Sequence, residues 1–546
     1  MLSQGCDEFK VSFTSCLSVV GESLGVVVAD DAVAPPIADA ETVCEVKSAA
    51  REPQELGDLT RQLLGMHEWV LVAAEGGLPA DVVERGLLQR VLAIGKALFQ
   101  SYLTAVGPGD VGETLTQEDG RVLKRLPKQH DRNLSTIFGT FSISRVAYGT
   151  RERQKHERVP TDERLQLPEG AVSYPLQEWD QMLGVQSAFG VARDIIEQIL
   201  AIRQSVDTLE HGNQQMAEST AAFRASQAAP DPAKEGAILV ATEDNKGVPM
   251  VRPATAAPAG AHRKKGEKAN KKQMACIGCV YTVDPHVRTA AELVKTLFRE
   301  PDRSREKPPE AQQKRYCAEL TRVIKGKEVR GQQRVFEHLR DGIKQRRRPG
   351  QILVNLCDGQ RSLETDRRDY LPTDEHTVDI LDLMHVNPRL WEAAHLFHTE
   401  GSPAATAFVR ERVLRILEGD AKSVIAGLRQ MGTKRGLKGS RKQRLKTACN
   451  FLERNLYRMK YDKYLAAGYP IASGVIEGAC RHVIRDRMEL AGMRWKIPGA
   501  QAMLDLRTLH ANGDWKTYQT YRIQAETHRL YPHAHPTPTM KQQGVT

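Results

Sequence analysis

The chain lacks any apolar stretch approaching the ~18–20 uninterrupted residues of a membrane span, so no such span is expected. It also lacks a basic n-region at its start, where Asp7 and Glu8 arrive early, and a secretory leader is therefore not expected. Its nine cysteines are scattered and odd in number, which in a chain of 546 residues suggests reduced thiols in a cytoplasmic protein. No internal repeat is visible. What is present is charge, unevenly placed. The first 60 residues hold 11 acids and 3 bases, so a net charge of +10 leaves +18 on residues 61–546. A basic body of that kind favours a polyanionic partner.

A chain of this length calls for two to four domains. Residues 1–60 read as an acidic, poorly specified tail, with "DDAVAPPIADAE" linker-like. Residues 61–228 read as an N-terminal, mostly helical DNA-binding region, with a β-hairpin over 135–151, where apolar and polar residues alternate. Within it, Ile195, Ile196 and Ile199 bury one helix, a short turn follows, and Ser205 can cap a second, polar helix. That pattern over 188–220 describes a helix-turn-helix, whose second helix would enter the major groove; an ordinary helical hairpin has the same signature. After the linker "AAPDPAKEG" come buried strands: "AILVATED" (237–244), "MACIGCVYTVD" (274–284), "QILVNLCDG" (351–359) and "TVDILDLMH" (377–385). These place an α/β domain over 237–490, with charged, helical insertions at 287–348 and 386–470, followed by a C-terminal tail over 491–546.

Three acids sit where chemistry could use them: Asp244 and Asp358 at strand ends, and Glu477 in the first turn of a helix in "ASGVIEGACRHVIRDRMELAGMRW" (472–495). Ser473 is the natural N-cap of that helix, and a capping box would want its Glu at Ile476, one residue before Glu477. Glu477, Arg481 and Arg485 share one face, while Val475, Ala479 and Val483 line the face expected to be buried. Alone, this fits an exposed Glu–Arg pair of about 0.3–0.5 kcal/mol. Spacings of 114 and 119 residues mean that only a fold could unite the three acids, as parallel strands do at their carboxyl ends. Gathered carboxylates demand cations, and hard divalent ions suit them.

The blocks "VATEDNKGVPM", "NLCDGQRSL", "DILDLMH" and "YPIASGVIEGACRHVIRDRMELAGMRW" resemble the signature blocks of a bacterial insertion-sequence transposase, of the DDE type and the ISKra group in the Mutator-like superfamily. The resemblance covers roughly residues 60 to 520. It implies a ribonuclease H-like domain with a mixed five-stranded sheet, a catalytic and metal-binding triad of Asp244, Asp358 and Glu477, and two Mg²⁺ or Mn²⁺ ions. It further implies cleavage at terminal inverted repeats and strand transfer into target double-stranded DNA, by at least a homodimer in a bacterial, nucleoid-associated setting. The superfamily's Cys-or-Asp two residues before a His falls on Asp382-Leu383-Met384-His385. In such a fold the first and fourth strands are neighbours about 4.8 Å apart, and the strand ending in Asp382 lies one step further out. Asp358 is thus the second ligand, and Asp382 and His385 are supporting residues. The long Asp244–Asp358 gap departs from the family and is assigned to the insertion at 287–348.

The remaining candidates are weaker. "CIGC" has zinc-knuckle spacing without a second half, and Glu243 points to the opposite face from Asp244. The basic runs at 263–272, with Lys264, Lys265, Lys271 and Lys272, and at 434–446, with Lys434, Arg435, Arg441 and Lys442, suit phosphate contact. Arg481 and Arg485 could clamp a phosphate; Trp495 could stack on a base or belong to the core. His376, His395 and His398 read as structural or surface residues. Two other readings stand beside the transposase: a nuclease or resolvase that cuts without joining, and a domesticated DNA-binding protein without catalysis.

Overall fold

The architecture is that of a computed structural model, which describes residues 53–150, 157–251, 272–301 and 307–532. The chain divides between Thr60 and Arg61, and the site lies in the unit from Arg61 onward. That unit is mixed α/β, with a five-stranded mixed sheet at its centre. We label its strands β1 (Ile238–Pro249), β2 (Lys272–Val283), β3 (Gln312–Leu320), β4 (Leu353–Cys357) and β5 (Thr377–Leu381). Their order across the sheet is β5-β4-β1-β2-β3. β1 runs parallel to β4 and β4 parallel to β5, whereas β1–β2 and β2–β3 are antiparallel.

β1 is central because it is apolar on both faces. Leu239 and Ala241 pack with Val335, Phe336 and Leu339 of the helix Gly331–Arg346 on one side, while Ile238 and Val240 join the large core on the other. Gly278 of β2 lets that helix approach, since a Cβ there would lie 2.6 Å from Val335.

Helices fill the rest. Those used below are α1 (Pro53–Glu75), α2 (Ala80–Val106), α3 (Tyr174–Gly184), α4 (Phe189–Leu200), α5 (Val206–Ala217), α6 (Leu383–Phe397), α7 (Ala421–Lys434), α8 (Gly439–Arg454), α9 (Gly474–Ala479) and α10 (Ile497–Ala511). A two-stranded hairpin, His130–Thr136 with Gly139–Arg145, lies where alternation predicts one, starting five residues earlier than read from sequence. Among the described residues no helix is long and apolar enough to cross a membrane.

Three expectations need correction. The segment 287–348 is not a helical insertion, because it supplies β3, an edge strand of the sheet. Its outer half, "QQKR", is polar as an edge requires, and this hid it from a search for buried apolar runs. Residues 491–546 are not merely a tail: α10 buries Ala500, Met503, Leu504 and Leu506 and packs on β3 and α5. Finally, α4 and α5 are two helices joined by a short turn, with Ser205 capping the second through Thr208 N–H (3.0 Å). α5 is nonetheless no groove-reading helix. Leu209, Asn213 and Met216 are buried, and its exposed side carries Asp207 and Glu210, with Glu218 just past its end, which would repel phosphate.

Candidate active site

Two residues beyond the last paired positions of β1 and β4, Thr242 with Leu356, the two strands carry Asp244 and Asp358. β1 itself continues to Pro249 against β2, with Asp244 opposite Ile277. The parallel half of the sheet therefore opens at this level and leaves two half-buried carboxylates there, Asp358 just past the end of β4 and Asp244 within β1, not at its end as the sequence suggested. Asp244 Oδ1 accepts from the Asn245 N–H (2.7 Å), and its Oδ2 accepts from the Cys480 thiol (3.2 Å). Asp358 Oδ1 accepts from the Gln360 N–H (2.6 Å). The intervening Gly359 has φ +81°, and a Cβ there would lie 2.9 Å from both Leu381 and Phe451. Glycine is required at that turn.

Burial, more than any neighbour, pushes the Asp358 carboxyl above its usual range, and the charge of Asp244 adds to it. The Gln360 N–H and His385 pull the other way. Among the described residues neither Asp244, Asp358 nor Glu477 is held in an ion pair.

Glu477 is exposed in the first turn of α9, which crosses β1 and β2. Ser473 caps this helix, its Oγ accepting from Ile476 N–H (3.2 Å), as its sequence predicts. The helix does not continue regularly to Trp495. A π-helical turn occupies Cys480–Arg485, a short last turn ends at Met488, and the wider turn carries Cys480 to Asp244. Such turns recur at functional sites.

Asp382 is buried and does a different job from Asp358. Its Oδ1 accepts from Met384 N–H (2.8 Å), capping α6, and its Oδ2 accepts from Ser473 N–H (3.1 Å). Ser473 Oγ in turn lies 3.5 Å from Thr242 Oγ1, which donates to the Leu356 carbonyl (3.0 Å). One carboxylate thus links the end of β5 to the start of the Glu477 helix. Burial pushes Asp382 up to about 6; the two N–H groups and His385 oppose this, and Glu477 adds to it. His385 acts on both Asp358 and Asp382.

The donor set suits a hard divalent cation in kind, being oxygen-rich and unpaired with any base. Among the described residues, however, no group of three or more His, Cys, Asp or Glu side chains is arranged to close on an ion.

Other candidates resolve individually. Cys276 and Cys279 are buried on opposite faces of β2 and cannot share a zinc ion. Trp495 is a core residue, its Nε1 donating to the Met488 carbonyl (3.1 Å), so the base-stacking reading is corrected. Lys272 pairs with Glu489 (2.8 Å), while Lys264, Lys265 and Lys271 lie outside the described residues. Arg481 and Arg485 are exposed, Arg481 lying 3.6 Å from Asp486. Lys434, Arg435 and Lys442 are exposed on the turn from α7 to α8 and on α8 itself. Arg441, also exposed, donates to the Leu396 carbonyl.

One residue, Cys480, escaped the sequence reading, which held no signal for it. Glu243 points away from Asp244 as read from the sequence, but it is fully buried, neither of its oxygens has a hydrogen-bond partner among the described residues, and burial pushes it up to about 8 despite Arg367 nearby.

No known protein-family model matches the chain. No curated protein matches it significantly either.

Proposed function

We propose that the chain is a DDE-type DNA transposase, which cuts DNA at the terminal inverted repeats of its element and joins the freed end to target DNA. The observation that carries this reading is the arrival of Asp244 and Asp358 on neighbouring parallel strands, each two residues past the last β1–β4 pair and in no ion pair among the described residues, near the helix whose first turn holds Glu477. The sheet supports a ribonuclease H-like core, with the first strand beside the fourth and the fifth outside it. Asp244, Asp358 and Glu477 would hold Mg²⁺ or Mn²⁺, which in such sites activates an attacking oxygen and stabilises a leaving one.

The protein's own part is positioning and electrostatics. Asn245 N–H and Cys480 hold Asp244, Gln360 N–H holds Asp358, and Asp382 holds the start of the Glu477 helix through Ser473. Exposed Lys434, Arg435, Arg441 and Lys442 offer phosphate contacts. The C-terminal end of α8 reaches the site, since Arg454 donates to the Gly359 carbonyl (2.9 Å). From there the basic end lies about 20 Å away along the helix, one duplex width. A second reading, a nuclease or resolvase that cuts without joining, gains from the acidic outer side of α5, which removes the expected reader of the repeats.

The test uses a labelled duplex bearing the element's terminal repeat with Mg²⁺ or Mn²⁺, scoring cleavage and joining, with binding followed by gel shift. Asp244→Asn, Asp358→Asn and Glu477→Gln are expected to lose about 10³-fold or more of the chemistry while binding survives. Cleavage without joining in the wild type favours the nuclease. Full activity in Asp358→Asn sinks the assignment of the site.

A further inference from the structure

A small cleft opens between α3, α5 and the turn at 170–172 that leads into α3, with a volume of about 320 Å³, at the small end of ligand pockets. Three of the side chains lining it are buried, Gln177, Gln181 and Asp180. The two amides are spent on the fold. Gln181 Nε2 donates to the Leu209 carbonyl (2.9 Å) and its Oε1 accepts from Asn213 (2.9 Å). Gln177 Nε2 donates to the Val172 carbonyl (2.7 Å) and its Oε1 accepts from Arg522 (2.8 Å). Asp180 is different. It is 3% exposed, Gln204 takes its Oδ1, and its Oδ2 has no hydrogen-bond partner among the described residues. An unpaired polar atom this deep is costly, and a carboxyl so placed on the wall of a cleft is the mark of a binding group.

The surroundings select the charge of the ligand. Asp207 and His211 stand exposed on the α5 side, 3.9 Å apart, and no lysine or arginine lines the cleft among the described residues. Two arginines come near it, and both are engaged. Arg132 of the hairpin pairs with Asp162 (3.0 Å) and donates to the Gly170 carbonyl (2.6 Å); Arg522, of the helix Trp515–Leu530, holds Gln177. A bare metal ion is far smaller than this volume, and among the described residues no three His, Cys, Asp or Glu side chains are arranged to hold one.

We propose that this cleft binds a small organic cation, an alkylammonium or a guanidinium, whose N–H groups donate to Asp180 Oδ2 while Asp207 adds its charge from the rim. A charged donor meeting a carboxylate away from water makes the stronger class of hydrogen bond. Without ligand, burial keeps the Asp180 carboxyl up at about 7. The cation takes the ionised form, so near neutrality its binding expels the Asp180 proton to solvent. The inference goes beyond the proposed chemistry on DNA and does not depend on it.

The test is isothermal titration of the full chain, without DNA, with agmatine and with putrescine, and with butanediol as an uncharged control. For cations of this size a Kd of about 0.1–1 mM is expected at pH 8. Below pH 7 the affinity should fall by up to about tenfold per unit. At pH 6.5, two buffers of different ionisation heat should report roughly 0.5–1 proton released per cation bound. Asp180→Asn is expected to keep its far-UV circular dichroism, to bind at least about tenfold more weakly and to release no proton. Histidines titrate in the same range, so His211→Gln is measured beside it and should keep the proton release. Agmatine binding alone supports the guanidinium as the ligand group, putrescine alone the ammonium, and both together either one. No binding of either cation up to about 10 mM, well past any useful affinity, overturns the proposal. So does equal binding of butanediol, an Asp180→Asn variant that binds as the wild type does, or a proton release that disappears in His211→Gln.

Discussion

Asp180 offers a sharp test of the physical reasoning. It lies in α3, buried, and among the described residues its only hydrogen-bond partner is neutral: Gln204 Nε2 donates to its Oδ1 at 2.7 Å. Burial pushes its carboxyl from 3.8 up to about 7, and only the Gln204 bond opposes this. The folded protein therefore keeps a proton that the unfolded chain has lost. The stability that Asp180 contributes is highest below pH 4 and is lost as pH rises towards 7, because over that window this group binds more protons in the native state. At about 1.4 kcal/mol per unit the loss amounts to roughly 4 kcal/mol by pH 7. Asp180→Asn keeps an acceptor for Gln204 and carries no proton to lose. We expect it to match the wild type near pH 4.5 and to exceed it by about 2–4 kcal/mol at pH 7. Urea unfolding followed by fluorescence across that range reads the midpoint directly. Asp382, also raised, titrates in both proteins and cancels in the difference. A variant weaker than the wild type by the same amount at every pH would refute the argument, since Asp180 would then be ionised and favourably paired.

Two further predictions concern the site and its approach. Asp382→Asn leaves one oxygen to serve two N–H groups, those of Met384 and Ser473. It should lower stability by about 1–3 kcal/mol while leaving cleavage measurable; full loss of cleavage at unchanged melting temperature would make Asp382 a reacting-centre ligand instead. Lys434→Glu, Arg435→Glu and Lys442→Glu together should flatten the salt dependence of duplex binding by about 2–3 in slope, with the cleavage rate of bound complex unchanged. An unaltered slope would remove this face from the DNA path.

The strands buried on both faces were legible from sequence because their signal is purely apolar. "AILVATED" and "QILVNLCDG" have no amphipathic alternative, and both fall in the centre of the sheet. β3 was not legible, because an edge strand mixes Gln312, Lys314 and Arg315 with Cys317, Ala318 and Leu320 and resembles a charged helix. The same limit explains α5. Its helical period and its Ser205 cap can be read locally, but which side meets α10 depends on residues nearly 300 positions away. Only after that packing does the acidic side become the exposed one.

The site shows the same division more finely. Asp244 and Asp358 come together because each ends a run of buried residues on adjacent parallel strands, a fact carried by the strands themselves. The choice between Asp358 and Asp382 rests instead on what each carboxylate is already bound to. Asp382 uses both oxygens on backbone N–H groups, those of Met384 and Ser473, and is spent on holding two helix starts. Asp358 uses one oxygen on one N–H group, and its other oxygen remains for a ligand. A carboxylate with unused acceptors beside a like charge is costly unless a cation arrives. Asp382 also feels a like charge, that of Glu477, so what separates the two is the unused oxygen of Asp358, and no spacing in the sequence encodes it.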